Sequence, residues 1–338
     1  MTAYYVDNAA GNDGNAGTAT GTAWKTFQKA LDTAATAGDI VYFKAATEVL
    51  AVTVDDDTNS GSASGFIRFI GVNASWANDG TRMVINGNSA ATNCLKTNGK
   101  SWKWYENFEF KNATGDGVGS SGYSNSDQYV FSNCLSHNNG GAGWQLRQNG
   151  INQVMFFKCA AYSNTTYGWR VCWASFHFCR ASSNTLDGFW GDALSRFPMI
   201  LNQCETYNNG GKGVINSGFA DMPTTIIETV IDNNTSDGVN GSLMTVIIGG
   251  RLTNNGGYGI KCAAERIIYG YCYMPAAGQP RVNTTGKTNG NVDVINDNGT
   301  DTNNISGTDA NAGYNAVGSV DFTLVDTATL RRTLVTLP

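Results

Sequence analysis

Asp187, Lys212 and Asp237 each stand immediately before a glycine, at Gly188, Gly213 and Gly238, and share one register of an internal repeat. Two carboxylates with an amine between them could pass a proton to and from a sugar bond, one as acid and one as base, or could screen an anionic chain. The same alternation of sign has a structural reading, in which opposite charges on adjacent strands stabilise one another. Arg180 and Glu205 make a second pair, each one residue after a cysteine. Near the start of the chain, Asp7 and Asp13 lie in a Gly/Asn-rich loop and could hold Ca²⁺. Asp55-Asp56-Asp57 reads more simply as a solvated loop tip than as a cation site. His137 and His177 are the only histidines and no Cys-x-x-Cys occurs, so a zinc site is not expected.

These residues are placed by a repeat that runs from Cys134 to Cys262. Its frame is Asn, three residues, Gly, then a large apolar residue: Asn139/Gly143/Trp144, Asn164/Gly168/Trp169, Asn184/Gly188/Phe189, Asn209/Gly213/Val214, Asn234/Gly238/Val239 and Asn255/Gly259/Ile260. Successive Asn residues are 25, 20, 25, 25 and 21 positions apart. Five residues before each Asn come Cys134, Cys159, Cys179, Cys204, Thr229 and Gly250, and three before those come Phe131, Phe156, Phe176, Leu201, Ile226 and Ile247. The apolar runs are short and broken by Asn, Gly, Ser and Thr, which argues against paired helices and for several short strands per unit. A coil of a parallel β-helix fits that period. Stacked about 4.8 Å apart, equivalent positions form columns. The cysteines, and Ser136, Ala161, Ala181, Thr206, Ile231 and Leu252 two places on, are expected inside. The Asn column is expected at a corner that tolerates left-handed backbone, with amides bonded from coil to coil, and the Gly column at a second corner with positive φ.

On these columns the sequence resembles the right-handed parallel β-helix, or pectate-lyase-like, superfamily, over roughly residues 40–275, and within it phage virion β-helix proteins most closely. The resemblance implies an all-β, single-stranded right-handed solenoid. It also implies a group that contains polysaccharide lyases, glycoside hydrolases and virion scaffolds, so function must come from the site. The polygalacturonase-type motifs are only echoed, by Asn184-Thr185-Leu186-Asp187-Gly188 and Gly191-Asp192-Ala193, and neither histidine lies in a Gly-His-Gly. The base motif and Ca²⁺ carboxylates of the pectate lyases are not recognisable.

Taken in order, residues 1–46 read as an N-terminal cap. Tyr4 to Asp7 is strand-like, and Trp24, Phe27 and Leu31 are spaced along one helical face that plugs the open end of the solenoid. Residues 47–274 are the β-helix, with Val52–Val54, Phe66–Ile70, Met83–Ile85 and Trp104–Phe110 as early strands and 112–127 as a Gly/Ser-rich lateral loop. Residues 275–338 turn to Gly, Asn, Thr and Asp, then regain apolar character near Phe322 and Leu337, and read as an arm that caps the solenoid or reaches a neighbouring subunit. The chain has 338 residues, of which 41% are hydrophobic, enough for a large core, and 14% charged, with a net charge of −5 that disfavours nucleic acid and anionic membranes as partners. No apolar stretch is long enough to span a membrane. The eight cysteines, four of them in one column, read as buried thiols.

The opening Met1-Thr2-Ala3-Tyr4-Tyr5-Val6-Asp7 lacks the basic and apolar regions of a secretory signal. With the missing catalytic motifs, this favours a non-enzymatic structural protein at a virion surface, such as a phage capsid decoration. Its expected partners are two more copies in a trimer, capsid or other virion proteins, and surface polysaccharide, with no bound cofactor. Two alternatives stand beside it. One is a polysaccharide lyase or glycoside hydrolase, on a tailspike or secreted, acting through Asp187, Lys212, Asp237, Arg180 and Glu205. The other is a secreted adhesin. Tyr162 and Tyr207 share a column with His137, Ser182 and Asp232 and are expected to face outward, where they could grip a sugar ring.

Overall fold

The computed structural model describes residues 1–120, 128–146, 153–192, 198–217, 223–241 and 244–262. Beyond these it describes the backbone of the strands Arg266–Gly270, Val282–Asn283, Asn291–Ile295 and Ile305–Ser306. The chain winds as a solenoid with three parallel sheets for walls. Among the described residues the first has 12 strands and begins with Ala3–Val6 and Ile40–Lys44; the second has 9, from Thr47–Val49 to Arg251–Thr253; the third has 11, from Val54–Asp56 to Ile305–Ser306. One coil, for example, runs Tyr129–Ser132, Leu135–His137, Trp144–Leu146 through the three in turn. Strands of two to six residues suffice because each adds one rung to a wall, and alternation sends every second side chain inward.

The inward columns are those expected. Phe131, Phe156, Phe176, Leu201, Ile226 and Ile247 are fully buried, and Phe156 stacks on Phe131 and Phe176 at 5.4 and 5.0 Å. Trp144, Trp169 and Phe189 stack nearly parallel at 5.0 and 4.7 Å. Full burial of such a side chain stabilises by roughly 1.5–3 kcal/mol, so columns of them outweigh the modest propensity of three-residue strands. Cys94, Cys134, Cys159, Cys179 and Cys204 are free thiols and buried, with Cys159 Sγ donating to Phe131 O at 3.3 Å.

The Asn column is buried and continuous. Asn139, Asn164, Asn184, Asn209 and Asn234 each donate Nδ2 to Oδ1 of the Asn one coil on, at 2.9–3.0 Å. Two expectations about the corners are corrected. The left-handed residue is the one before each ladder Asn: Asn138, Ser163, Ser183, Asn208, Asn233 and Asn254, with φ of 50–55°. A second set of left-handed residues, among them Asn133, Lys158 and Phe178, turns the chain just before the Cys column. The ladder Asn instead bonds as an amide inside the corner. The repeat glycines do not take positive φ either. They are needed because coils touch there: a Cβ on Gly143, Gly168 or Gly188 would meet the carbonyl oxygen of the next repeat glycine at 2.8, 2.6 or 2.7 Å.

Two N-terminal expectations are also corrected. The helix is Phe27–Thr33, capped by the Thr26 hydroxyl, and buries Phe27, Ala30 and Leu31; Trp24 lies before it, bridged to Val6. The Asp13 carboxylate accepts the amides of Lys25 and Thr26 and turns the chain there, which delays the helix start. Asp56 is no solvated tip. In the strand Val54–Asp56 alternation sends Val54 and Asp56 inward and only Asp55 out, and Asp56 is wholly buried against Lys103. The expected strand Trp104–Phe110 is two strands, Lys103–Glu106 and Phe108–Lys111, separated by left-handed Asn107. In the expected C-terminal arm, backbone strands Val282–Asn283, Asn291–Ile295 and Ile305–Ser306 pair onto the third and first sheets. The expected lateral loop 112–127 is corrected in its described part, where Val118–Ser120 is a third-sheet strand between Leu95–Thr97 and Trp144–Leu146; 121–127 and the rest of 275–338 lie outside the described residues.

Candidate functional site on the third sheet

The third sheet turns Trp144, Trp169, Phe189, Val214, Val239 and Ile260 inward, so the next residue of each strand faces out. Register therefore aligns Gln145, Arg170, Trp190, Ile215, Asn240 and Lys261 in one outward column. Beside it runs the column that precedes the repeat glycines: Tyr167, Asp187, Lys212, Asp237 and Tyr258. It is held coil to coil by Gly168 N–H to Asp187 O, Gly188 N–H to Lys212 O, Gly213 N–H to Asp237 O and Gly238 N–H to Tyr258 O, at 2.7–3.1 Å. The sequence expectation that Asp187, Lys212 and Asp237 occupy successive coils at one position agrees with this pairing.

The strongest cluster on this wall is one the carboxylate pattern did not single out. Arg170 Nε donates to Asp192 Oδ2 at 2.6 Å, and its guanidinium lies 4.0 Å from the Trp190 ring centre and 5.6 Å from that of Tyr167. Tyr167 meets Trp190 edge-on at 4.6 Å, and Trp190 Nε1 donates to Ser217 Oγ at 2.7 Å. The Asp192 side chain is 3% exposed and that of Arg170 20%, so a desolvated carboxylate orients a guanidinium that still reaches solvent. A planar cation over the Trp190 ring and beside Tyr167 is held by the aromatic pair as well as by the ion pair. The signal was present in Trp169-Arg170 and Phe189-Trp190, where the residue after each inward ring is large and outward.

The carboxylates of the neighbouring column have a structural task. Asp187 Oδ1 accepts Lys212 N–H at 2.6 Å, and Asp237 Oδ1 accepts Tyr258 N–H at 2.9 Å while its Oδ2 takes Asn240 Nδ2 at 3.1 Å. Asp116 makes the same brace to Ala142 N–H at 2.8 Å. Each brace has a mark in the next coil. Asn139-Gly140-Gly141 follows Asp116, Asn209-Gly210-Gly211 follows Asp187, and Asn255-Gly256-Gly257 follows Asp237. A Cβ on Gly141, Gly211 or Gly257 would meet that Oδ1 at 2.3–2.4 Å. Where the preceding coil carries Ala142, Tyr167 or Lys212 instead, the position is Thr166, Leu186 or Ser236.

Arg180 and Glu205 are not part of this wall. They pair in register at the start of second-sheet strands, both exposed, at the corner with the first sheet. The expected His137, Tyr162, Ser182, Tyr207, Asp232 column is aligned on the second sheet as read. There His137 stacks on Tyr162 at 4.5 Å, and Glu109 Oε1 meets Lys111 Nζ at 2.8 Å and His137 Nε2 at 3.2 Å. The bond to His137, with Lys111 beside it, holds the Glu109 carboxyl down at about 2 against some desolvation. Asp7 is taken up by Lys44 and by the amides of Ala9 and Ala10, and Asp13 by Lys25 and Thr26. Among the described residues no group of three or more His, Cys, Asp or Glu is placed to hold a metal ion, and no helix is long and apolar enough to cross a membrane.

No protein-family model matches the chain, and no curated protein matches its sequence. Solved structures match it in shape. The pectate lyase Pel9A superposes with a TM-score of 0.60 at 18% identity, over 82% of this chain and 78% of that one. The A-module of the Azotobacter vinelandii mannuronan C-5 epimerase AlgE6 gives 0.55 at 12% identity, over 76% and 84%. A rhamnogalacturonan lyase gives 0.50 at 15% identity, over 98% and 93%. At such identities the likeness establishes the fold, a right-handed parallel β-helix, and the chemistry of the outer walls has to be argued from their own residues.

Proposed function

We propose that this chain is a polysaccharide-binding β-helix whose contact surface is the outer wall of the third sheet. The observation that carries the reading is the Tyr167–Arg170–Trp190–Asp192 cluster: two aromatic rings and an oriented guanidinium on a rigid wall, with Asn240 and Lys261 in the Arg170 column and Lys212 in the column beside it. Aromatic faces stack on the apolar faces of sugar rings, and a guanidinium fixed by a buried carboxylate is suited to a uronate or sulfate group. Binding is favoured over cleavage because both aspartates of the Asp187, Lys212, Asp237 set already spend an oxygen on bracing the next coil. The pectate lyase and rhamnogalacturonan lyase among the structures of similar shape are consistent with a glycan partner.

The test is a panel of acidic and neutral polysaccharides, measured by calorimetry with and without Ca²⁺, with reducing ends and unsaturated products followed in parallel. Trp190→Ala and Arg170→Ala are each expected to weaken binding about tenfold or more, as loss of a central anchor does. A blank panel, or affinity unchanged in both variants, removes the proposal. Turnover abolished by Asp187→Asn would replace it with the lyase or hydrolase alternative.

A second reading, a trimeric virion-surface protein docked on capsid proteins, is favoured by a different wall. On the first sheet Met155, Phe157 and Ile248 project outward with exposures of 38%, 41% and 47%, beside Val130, Ile200 and Ile227, and Phe178 at the adjoining corner is 48% exposed. A row of apolar groups of this kind suits association. Sedimentation tests it: a trimer that Phe157→Asp dissociates supports it, and a monomer at all concentrations rejects it.

A further inference from the structure

The sharpest chemistry in the molecule lies inside the solenoid, away from any outer wall. Lys103, on a first-sheet strand, reaches across the core to Asp56 on the third sheet, with Nζ 2.6 Å from Oδ1 and both side chains 0% exposed. The other carboxylate oxygen, Oδ2, accepts the hydroxyls of Tyr105 at 2.7 Å and Tyr129 at 3.2 Å. Phe69 closes one side, its ring centre 5.2 Å from Nζ. An ammonium and a carboxylate taken wholly out of water carry a large desolvation cost that mutual attraction offsets only in part. The two oxygens of Asp56 are also held unequally. Among the described residues Oδ1 meets the amine alone, whereas Oδ2 sits between two hydroxyl donors aimed as donors are at an oxygen that gains negative charge during acyl transfer.

We propose that Lys103 and Asp56 condense in the folded chain to an intramolecular isopeptide bond. One proton passes from Nζ to Oδ1 along their hydrogen bond, leaving a neutral amine against a carboxylic acid. Nζ attacks Cγ, and the negative charge that develops on Oδ2 is stabilised by the Tyr105 and Tyr129 hydroxyls. The Nζ–Cγ bond forms, a second Nζ proton goes to Oδ1, and the Cγ–Oδ1 bond breaks as one water leaves. Ammonium and carboxylate become amide and water, so atoms and charge balance with no oxidant or other reactant. Fixed contact in a dry site supplies the proximity that free amine and acid lack, and the product removes both buried charges. Tyr105 stays protonated throughout, because burial and the adjacent Asp56 push its hydroxyl well above the ordinary tyrosine range. The bond would join the third sheet's first strand to the first sheet beside the N-terminal cap, closing residues 56–103 into a loop across the end of the solenoid.

Intact-mass measurement on the full chain, denatured and reduced, tests this directly. The expected mass is that of the sequence less one water, with a tryptic product that fails to cleave after Lys103 and contains both Asp56 and Lys103. Lys103→Arg keeps the charge but is expected to show the full mass, and Asp56→Asn is expected to lose ammonia in place of water. Tyr105→Phe and Tyr129→Phe are expected to slow the mass change after refolding by about tenfold or more. If the Arg variant does not fold, the wild-type and Asn masses still decide. Full mass in the soluble folded wild type, with Asp56 and Lys103 recovered in separate linear peptides, overturns the proposal.

Discussion

Glu48 lies beneath the first turn of the cap helix, 7% exposed, and both its oxygens face the backbone N–H of Phe27 at 3.0 and 3.2 Å. Burial outweighs that amide, and with a smaller push from Asp13 it raises the carboxyl to about 7. The folded state therefore holds this proton more tightly than the unfolded chain does. Its contribution to stability is fully present below the unfolded value near 4.5 and is lost as pH rises through about 7. The span corresponds to about 3 kcal/mol. Chemical denaturation of the wild type at pH 4.5 and 8 is expected to show that loss, and Glu48→Gln, which keeps an acceptor for Phe27, is expected to flatten it. An unchanged slope in the variant would place the pH dependence elsewhere. Such a residue was hard to read from the sequence, where Glu48 stands in a short run of mixed character, because its burial comes from a helix that docks over it.

Between coils the unit of stability is the paired rung, and the Asp brace with its Gly-Gly partner is the most specific one. A methyl group at Gly211 would run into the Asp187 carboxylate, so Gly211→Ala is expected to cost roughly 1–3 kcal/mol, as overpacking does. Asp187→Ala removes both the brace and the obstruction. The double variant is expected to be less destabilised than the sum of the singles by about 1 kcal/mol, measured as a cycle in urea. Simple additivity would mean that the brace is not what demands glycine. Here the sequence was nearly sufficient: the inward columns are legible because each coil repeats the same inside positions. The φ assignments failed because a left-handed corner accepts Asn, Ser, Lys or Phe once the flanking rungs hold it, and this leaves no fixed residue type to read. Asp56 failed for a related reason, since an isolated three-residue strand offers no repeat against which to see that a charge points inward.

At the scale of the whole molecule, three continuous walls around one core make opening a matter for many coils together. The thiols report it. Burial pushes Cys94 up to about 12 and Cys134, Cys159 and Cys179 well above the usual thiol range. These four are expected to resist a thiol reagent in native buffer and to react together at the urea midpoint; early labelling of one would reveal a coil that opens alone. The candidate wall was legible only in part. The carboxylates stand out in the sequence because they recur before the repeat glycines, whereas the meaning of Arg170 and Trp190 depends on which neighbour points inward.

The unequal steps between ladder asparagines have one origin. Strands Trp169–Val171 and Ala174–His177 are joined by two residues, Cys172 and Trp173, whereas Leu146 and Val154 in the preceding coil are separated by 147–153. Both connections deliver the chain to the same register, Val154 opposite Ala174. In the regular coils from Tyr129 on, length is thus free at the corner between the third sheet and the first, while the other two corners stay fixed by left-handed turns and the amide column. This gives each of those regular coils an insertion port at the same corner. Cutting 147–153 to two residues is expected to leave the urea midpoint nearly unchanged, and a foreign peptide spliced there would be displayed beside the Arg170 wall without disturbing a single rung.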